Sequence, residues 1–203
     1  MRESLVAWWP EAILSVGALL VILTGGRRAA LAVAWAALLA AAAALWRSTP
    51  PPTDIFYGFI TCDRFSTAFR WIALGATALV VLMASASRRE VSEDRCGEYV
   101  GLLLFIAVGL MLMAEAAHLL MAYLSMEMVS LSSYLLVGFA GQRRSAEAAL
   151  KYLLYGALCS ALMLFGGSPF NVIVGSTLVV RQGQSVPQGR LVAVVHIKAH
   201  AGL

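Results

Sequence analysis

Charge is what this chain has least of. Asp, Glu, Lys and Arg make up 13% of its 203 residues, and 61% are hydrophobic. A soluble domain of this length is about a quarter charged and nearer half apolar. That balance excludes a soluble domain with a large core and leaves an integral membrane protein. Cysteine is scarce too. Cys62, Cys96 and Cys159 are scattered and odd in number. With no CxxC and no Cys/His spacing suited to zinc, a disulfide framework and a structural zinc site are both excluded. The three read as small apolar residues with free thiols. The net charge of +4 is small and sits in short loops, where membrane topology explains it, so nucleic acid is not an expected partner. A cleavable leader is not evident either. The first apolar block contains Pro10 and Glu11 and runs into GGRRAA instead of a small-residue cleavage site, so it reads as a retained span.

The apolar residues fall in blocks of about 18 to 24, the length that crosses a hydrocarbon core of about 30 Å. Six spans are predicted: 5–24, 29–46, 67–85, 99–114, 118–140 and 146–166. Three consecutive prolines, Pro50, Pro51 and Pro52, separate the second span from the third. The fold class is therefore all-α, a polytopic bundle with an irregular tail.

The loops after spans one, three and five carry Arg27, Arg28, Arg88, Arg89, Arg95, Arg143 and Arg144. The other side has Arg2, Arg47, Arg64 and Arg70. Positive charge is retained on the cytoplasmic side, which places the N-terminus outside and those three loops inside. Trp8, Trp9, Trp46, Tyr57 and Trp71 all fall near predicted outer ends, as an interfacial belt requires. After Gly166 the composition changes. Residues 167–203 contain no acidic residue, and their apolar runs are too short to span. Short strands or coil are expected there. His196 and His200 are four apart, but they lie in a poor helix candidate with no further ligands.

Between Tyr99 and Gln142 the only charged residues are Glu115 and Glu127. Glu115 falls at a predicted turn, where water solvates it. Glu127 is about 13 Å below the outer boundary at helical rise, near the midplane. An acidic residue there costs about 2.5–3.5 kcal/mol to insert. Such a group is hydrogen-bonded to Ser or Tyr of neighbouring helices, or it belongs to a proton relay. Lys151 lies about 8 Å in from the opposite boundary, four residues after Glu147. It either snorkels to the interface or turns inward and couples to a carboxylate such as Glu127. Two titratable groups on successive helices are the minimal parts of a relay.

The run from Gly97 to Gly166, with SMEMVSLSSYLLVG followed by SAEAALKY, resembles the subunit N family of bacterial NADH-quinone oxidoreductase, respiratory complex I. D-R-F-S at Asp63–Ser66 and the N-terminal spans agree more weakly. The resemblance implies an antiporter-like subunit of the membrane arm in the bacterial inner membrane. Protons would move along buried charges, with Glu127 and Lys151 as its relay residues. NADH, FMN, iron-sulfur clusters and quinone would then be bound by partner subunits and none by this chain. Members of the family often have an acidic residue where His118 stands.

It also continues past Gly166 into further spans, so a truncated or frameshifted product, or a genuinely short paralogue, is expected here. The organisation read from the sequence is 1–96, spans one to three; 97–166, the family-matching core; and 167–203, a non-matching tail. A structural membrane fragment that conducts nothing, a subunit of a related cation/proton antiporter complex and a small six-span transporter remain alternatives. The almost wholly apolar second and fourth spans weigh against the last.

Overall fold

The computed structural model describes residues 8–24, 26–47, 53–55, 60–86, 95–139 and 141–181, with 53–55 and the last fifteen as backbone only. Among these residues, six helices and one short hairpin follow in order: α1 Trp9–Leu23, α2 Arg27–Arg47, β1 Thr53–Ile55, β2 Ile60–Cys62, α3 Arg64–Ala86, α4 Cys96–Glu115, α5 Leu119–Gly138 and α6 Arg143–Arg181. Among the described residues, five helices are long and apolar enough to cross a membrane: α2 to α5, and α6 over Arg143–Gly166. The remaining one, α1, is a shorter apolar helix of 15 residues. The chain is a multi-pass membrane protein of all-α architecture.

Residues Met1–Phe165 form one compact unit and Gly166–Leu203 a second. The core of the first unit is built by α1 to α4. Its centre is α4, which buries Val100, Leu104, Ala107, Val108 and Met111 against α1, α2, α3 and α5. In a bilayer the hydrophobic effect does not separate helix from lipid, so close backbone approach carries the packing. Small residues provide it. Alanine-rich α2 buries Ala30, Ala34, Ala37 and Ala41, a stripe at helical spacing. At Gly97 an added Cβ would lie 2.6 Å from the Val21 carbonyl oxygen, and at Gly109 it would lie 2.6 Å from Val129 Cγ2. Both are contacts only glycine permits.

Helix ends are set by local chemistry. In α3 the D-R-F-S stretch is a reciprocal cap. Ser66 N–H donates to Asp63 Oδ1 at 2.7 Å, and Asp63 N–H donates to Ser66 Oγ at 3.0 Å. Arg27 donates through Nη2 to the carbonyls of Ala84 and Ser85, both at 3.0 Å, and so satisfies the orphan acceptors at the far end of α3. Gly141, at φ 66°, turns the chain between α5 and α6.

Two expectations change. The segment between the prolines and the third span lies outside every predicted span. Part of it forms an antiparallel hairpin, with Thr53 opposite Cys62 and Ile55 opposite Ile60. Helix is blocked by the preceding prolines, and the β-branched residues of this stretch favour a pleated strand. Strands or coil were expected after Gly166, yet α6 is helical to Arg181. Extending a formed helix is far easier than nucleating one, and the strand preference of valine is context-dependent. Residues 182–203, including His196 and His200, lie outside the described residues, as do Arg2, Tyr57, Arg88 and Arg89.

Candidate functional site: charges inside the bundle

Glu127 lies near the middle of α5, roughly 12 Å along the helix from Leu119. It is half-buried. Its Oε1 is enclosed and has no hydrogen-bond partner among the described residues. Three serines of α5 bond elsewhere. Ser125, Ser132 and Ser133 donate to the carbonyls of Met121, Met128 and Val129, each four residues back, the local bonding that hydroxyls adopt inside helices. Tyr123, one turn earlier on the same face, is the polar neighbour of Glu127.

Lys151 sits in the third turn of α6. Its Nζ pairs with Glu147 Oε1 at 2.7 Å, and both side chains are about two-thirds exposed from this chain. Contacts between α5 and α6 are few. Tyr134 meets Tyr152 edge-on at a ring separation of 4.6 Å, and its hydroxyl occupies the space over Gly156. Most other side chains of α6 up to Gly166 are exposed.

The best-formed polar cluster lies elsewhere, and sequence reading missed it. Glu11 of α1, Arg70 of α3 and Glu115 of α4 meet at the hairpin end of the bundle, each no more than 1% exposed. Arg70 Nη2 lies 2.6 Å from Glu11 Oε1 and donates to Glu11 Oε2 at 2.8 Å. Arg70 Nη1 lies 2.7 Å from Glu115 Oε1. Cys62 of β2 donates its thiol to the same Oε1 at 3.5 Å. Glu115 is therefore not the solvated turn residue that sequence suggested. The bridge between Ile60 and Ala116 closes the hairpin over the turn and keeps water out. Arg70, expected among the outer-side charges, instead faces inward from the second turn of α3. A clue was available: Glu11, Arg70 and Glu115 all lie within two turns of predicted outer ends, in a chain with few other charges there.

Outside the spans, burial pushes the Cys62 thiol from 9.0 up to about 12, and the neighbouring Glu115 adds to the rise. Among the described residues, no group of three His, Cys, Asp or Glu side chains is placed to hold a metal ion.

Comparison with known proteins puts these charges in context. Residues 116–190 match the family described as NADH:quinone oxidoreductase/Mrp antiporter, TM. NADH-quinone oxidoreductase subunit N of Anaeromyxobacter sp. (strain Fw109-5) is 40% identical over 149 residues, which is 71% of this chain and 29% of that protein. The subunit N of Bacillus anthracis is 37% identical over 149 residues, 72% of this chain and 29% of that protein. A chain of respiratory complex I from Thermus thermophilus, solved with bound aureothin, superposes with a TM-score of 0.66 at 30% identity. It covers 80% of this chain and 36% of that chain. The chain thus spans under a third of the length of these curated relatives. By sequence over seven-tenths of its length, and by fold over four-fifths of it, this chain is a homologue of the NADH-quinone oxidoreductase subunit N proteins.

Proposed function

We propose that this chain acts as an antiporter-like subunit in the membrane arm of NADH-quinone oxidoreductase, in the bacterial inner membrane with its N-terminus outside. There it couples quinone reduction to proton transfer. The observation that carries the reading is Glu127. It is a carboxylate about 12 Å inside an apolar helix, with one enclosed oxygen lacking any partner among the described residues. A carboxyl held only for structure is satisfied by neighbouring hydrogen bonds, because an unmet one costs about 1–3 kcal/mol. One that must take up and release a proton keeps an open oxygen.

In this reading Glu127 receives and passes the proton, and Tyr123 orients it. Lys151 is the second group of the relay. Its side chain leaves Glu147 and turns toward neighbouring protein when the exposed face of α6 is covered. Partner subunits bind NADH, FMN, iron-sulfur clusters and quinone, and electron transfer takes place there. The other membrane-arm subunits and lipid cover the apolar faces that α5 and α6 leave open.

A second reading, a structural membrane component that conducts nothing, is favoured by the Lys151–Glu147 pair, which satisfies the lysine locally. Affinity capture of the tagged chain from gently solubilised native membranes tests membership. The expected result is co-capture of NADH–quinone reductase activity in fixed proportion. Capture of a well-folded chain without that activity refutes the assignment.

A further inference from the structure

The Glu11–Arg70–Glu115 cluster carries two carboxyls and one guanidinium in a site closed to water. With both carboxyls ionised, it holds one uncompensated negative charge in a low-dielectric interior, an arrangement costing several kcal/mol. Among the described residues, Arg70 is the cation paired with both carboxyls. The hairpin brings the neutral thiol of Cys62. At this end of α5 the titratable group is His118, whose Nδ1 accepts from Leu120 N–H. The C-terminal Arg47 of α2 is exposed.

The two carboxyls are not equivalent. Arg70 Nη2 donates to Glu11 Oε2 at 2.8 Å and lies 2.6 Å from Oε1, so both oxygens of Glu11 face the guanidinium, the setting of an ionised carboxylate, although Oε1 accepts no hydrogen bond among the described residues. Glu115 places only Oε1 on Arg70. Its Oε2 is buried without a hydrogen-bond partner among the described residues. An ionised oxygen in that position bears the full cost of desolvation, whereas a protonated one bears far less.

We infer that this triad is a proton-binding site, separate from Glu127, which holds one exchangeable proton on Glu115 and balances Glu11 against Arg70. The proton adds to Oε2 and leaves from it. No other bond forms or breaks. Because the three residues come from α1, α3 and α4, loss of the proton loads repulsion onto the contact among those helices. The site is therefore a place where proton occupancy and helix packing are coupled. The inference does not depend on the function proposed above.

The test is infrared difference spectroscopy of the full chain in lipid nanodiscs, reading the protonated-carboxyl stretch and its shift in D2O. The wild type should show a carboxyl band that shifts on deuteration and is lost on alkaline titration. Glu115→Gln, a neutral isostere of the protonated state, should fold and lose that band. Glu127→Gln should retain it. If Glu115→Gln does not fold, Glu11→Gln provides the same reading: the cluster is then charge-balanced without a proton, and the band should again be lost.

Persistence of the band in both Glu11→Gln and Glu115→Gln overturns the inference. Its absence from the wild type overturns it too, as does a requirement for sodium ions to keep the wild type folded, because a bound cation would then be the missing positive charge. Failure of both variants to fold also overturns it, since the cluster would then require both carboxylates ionised.

Discussion

Removing the Arg70 guanidinium should be the most damaging single change in the first unit. Arg70 is 1% exposed and holds two carboxyls, at 2.6–2.8 Å and 2.7 Å. Breaking a buried ion pair from one side costs about 3–5 kcal/mol, because the abandoned charge stays buried. Here the substitution strips the cation from the Glu11 carboxylate and a donor from Glu115, so Arg70→Met should cost about 3–5 kcal/mol. Set against a total stability of about 5–15 kcal/mol, this leaves a bundle that unfolds at far lower denaturant. The assay is unfolding in mixed micelles with rising sodium dodecyl sulfate, followed by helical circular dichroism and by exposure of the buried thiols Cys62 and Cys96. Combining Arg70→Met with Glu11→Gln and Glu115→Gln should recover most of the loss, since no buried charge is then unpaired. Such strong non-additivity is expected only within one network. An Arg70→Met protein within about 0.5 kcal/mol of wild type, the range of ordinary surface changes, would refute the buried network.

Three further outcomes follow from the same packing. Gly97→Ala should destabilise the α1–α4 contact by about 1–3 kcal/mol, because the new methyl meets the Val21 carbonyl oxygen, which is backbone; equilibrium unfolding reads this. Gly156→Ala should displace Tyr134 and loosen α6, seen as faster hydrogen exchange in α6 while α1 to α4 keep their protection. Cys62 should resist alkylation at pH 8 in the folded protein and react once the chain is unfolded, because burial holds the Cys62 thiol up to about 12 and the thiolate is the nucleophile. Between 9.0 and about 12 the folded protein keeps a proton that the unfolded chain releases. The stabilising contribution of this thiol is therefore full below that window and is lost as pH rises through it, which unfolding at several alkaline pH values would detect.

The helices were readable because an apolar block of spanning length has few alternatives in a bilayer. Their ends shifted by a few residues where a specific cap acts. Asp63 and Ser66 start α3 at Arg64, three residues before hydropathy suggested, because polar cap residues dilute the apolar signal they introduce. Glu127 was legible for the opposite reason: one carboxylate in an otherwise uncharged run stands out. The Arg70 cluster was not. Each of its members lies near a span end, where a charge is ordinarily solvated. Only the tertiary arrangement of α1, α3 and α4 under the hairpin converts those three into a buried network. Lys151 was left open between two orientations, and in this chain its ammonium is engaged by Glu147.

The measurement that bears most directly on the central claim is proton translocation by the assembled NADH-quinone oxidoreductase in native membrane vesicles, comparing wild type with Glu127→Gln in this subunit. Proton uptake per NADH oxidised is read from a pH-sensitive dye while absorbance follows the NADH. The account predicts that the variant assembles to normal levels and that its proton-to-electron ratio falls. An unchanged ratio in a fully assembled variant would contradict it and would leave the chain a structural component of the membrane.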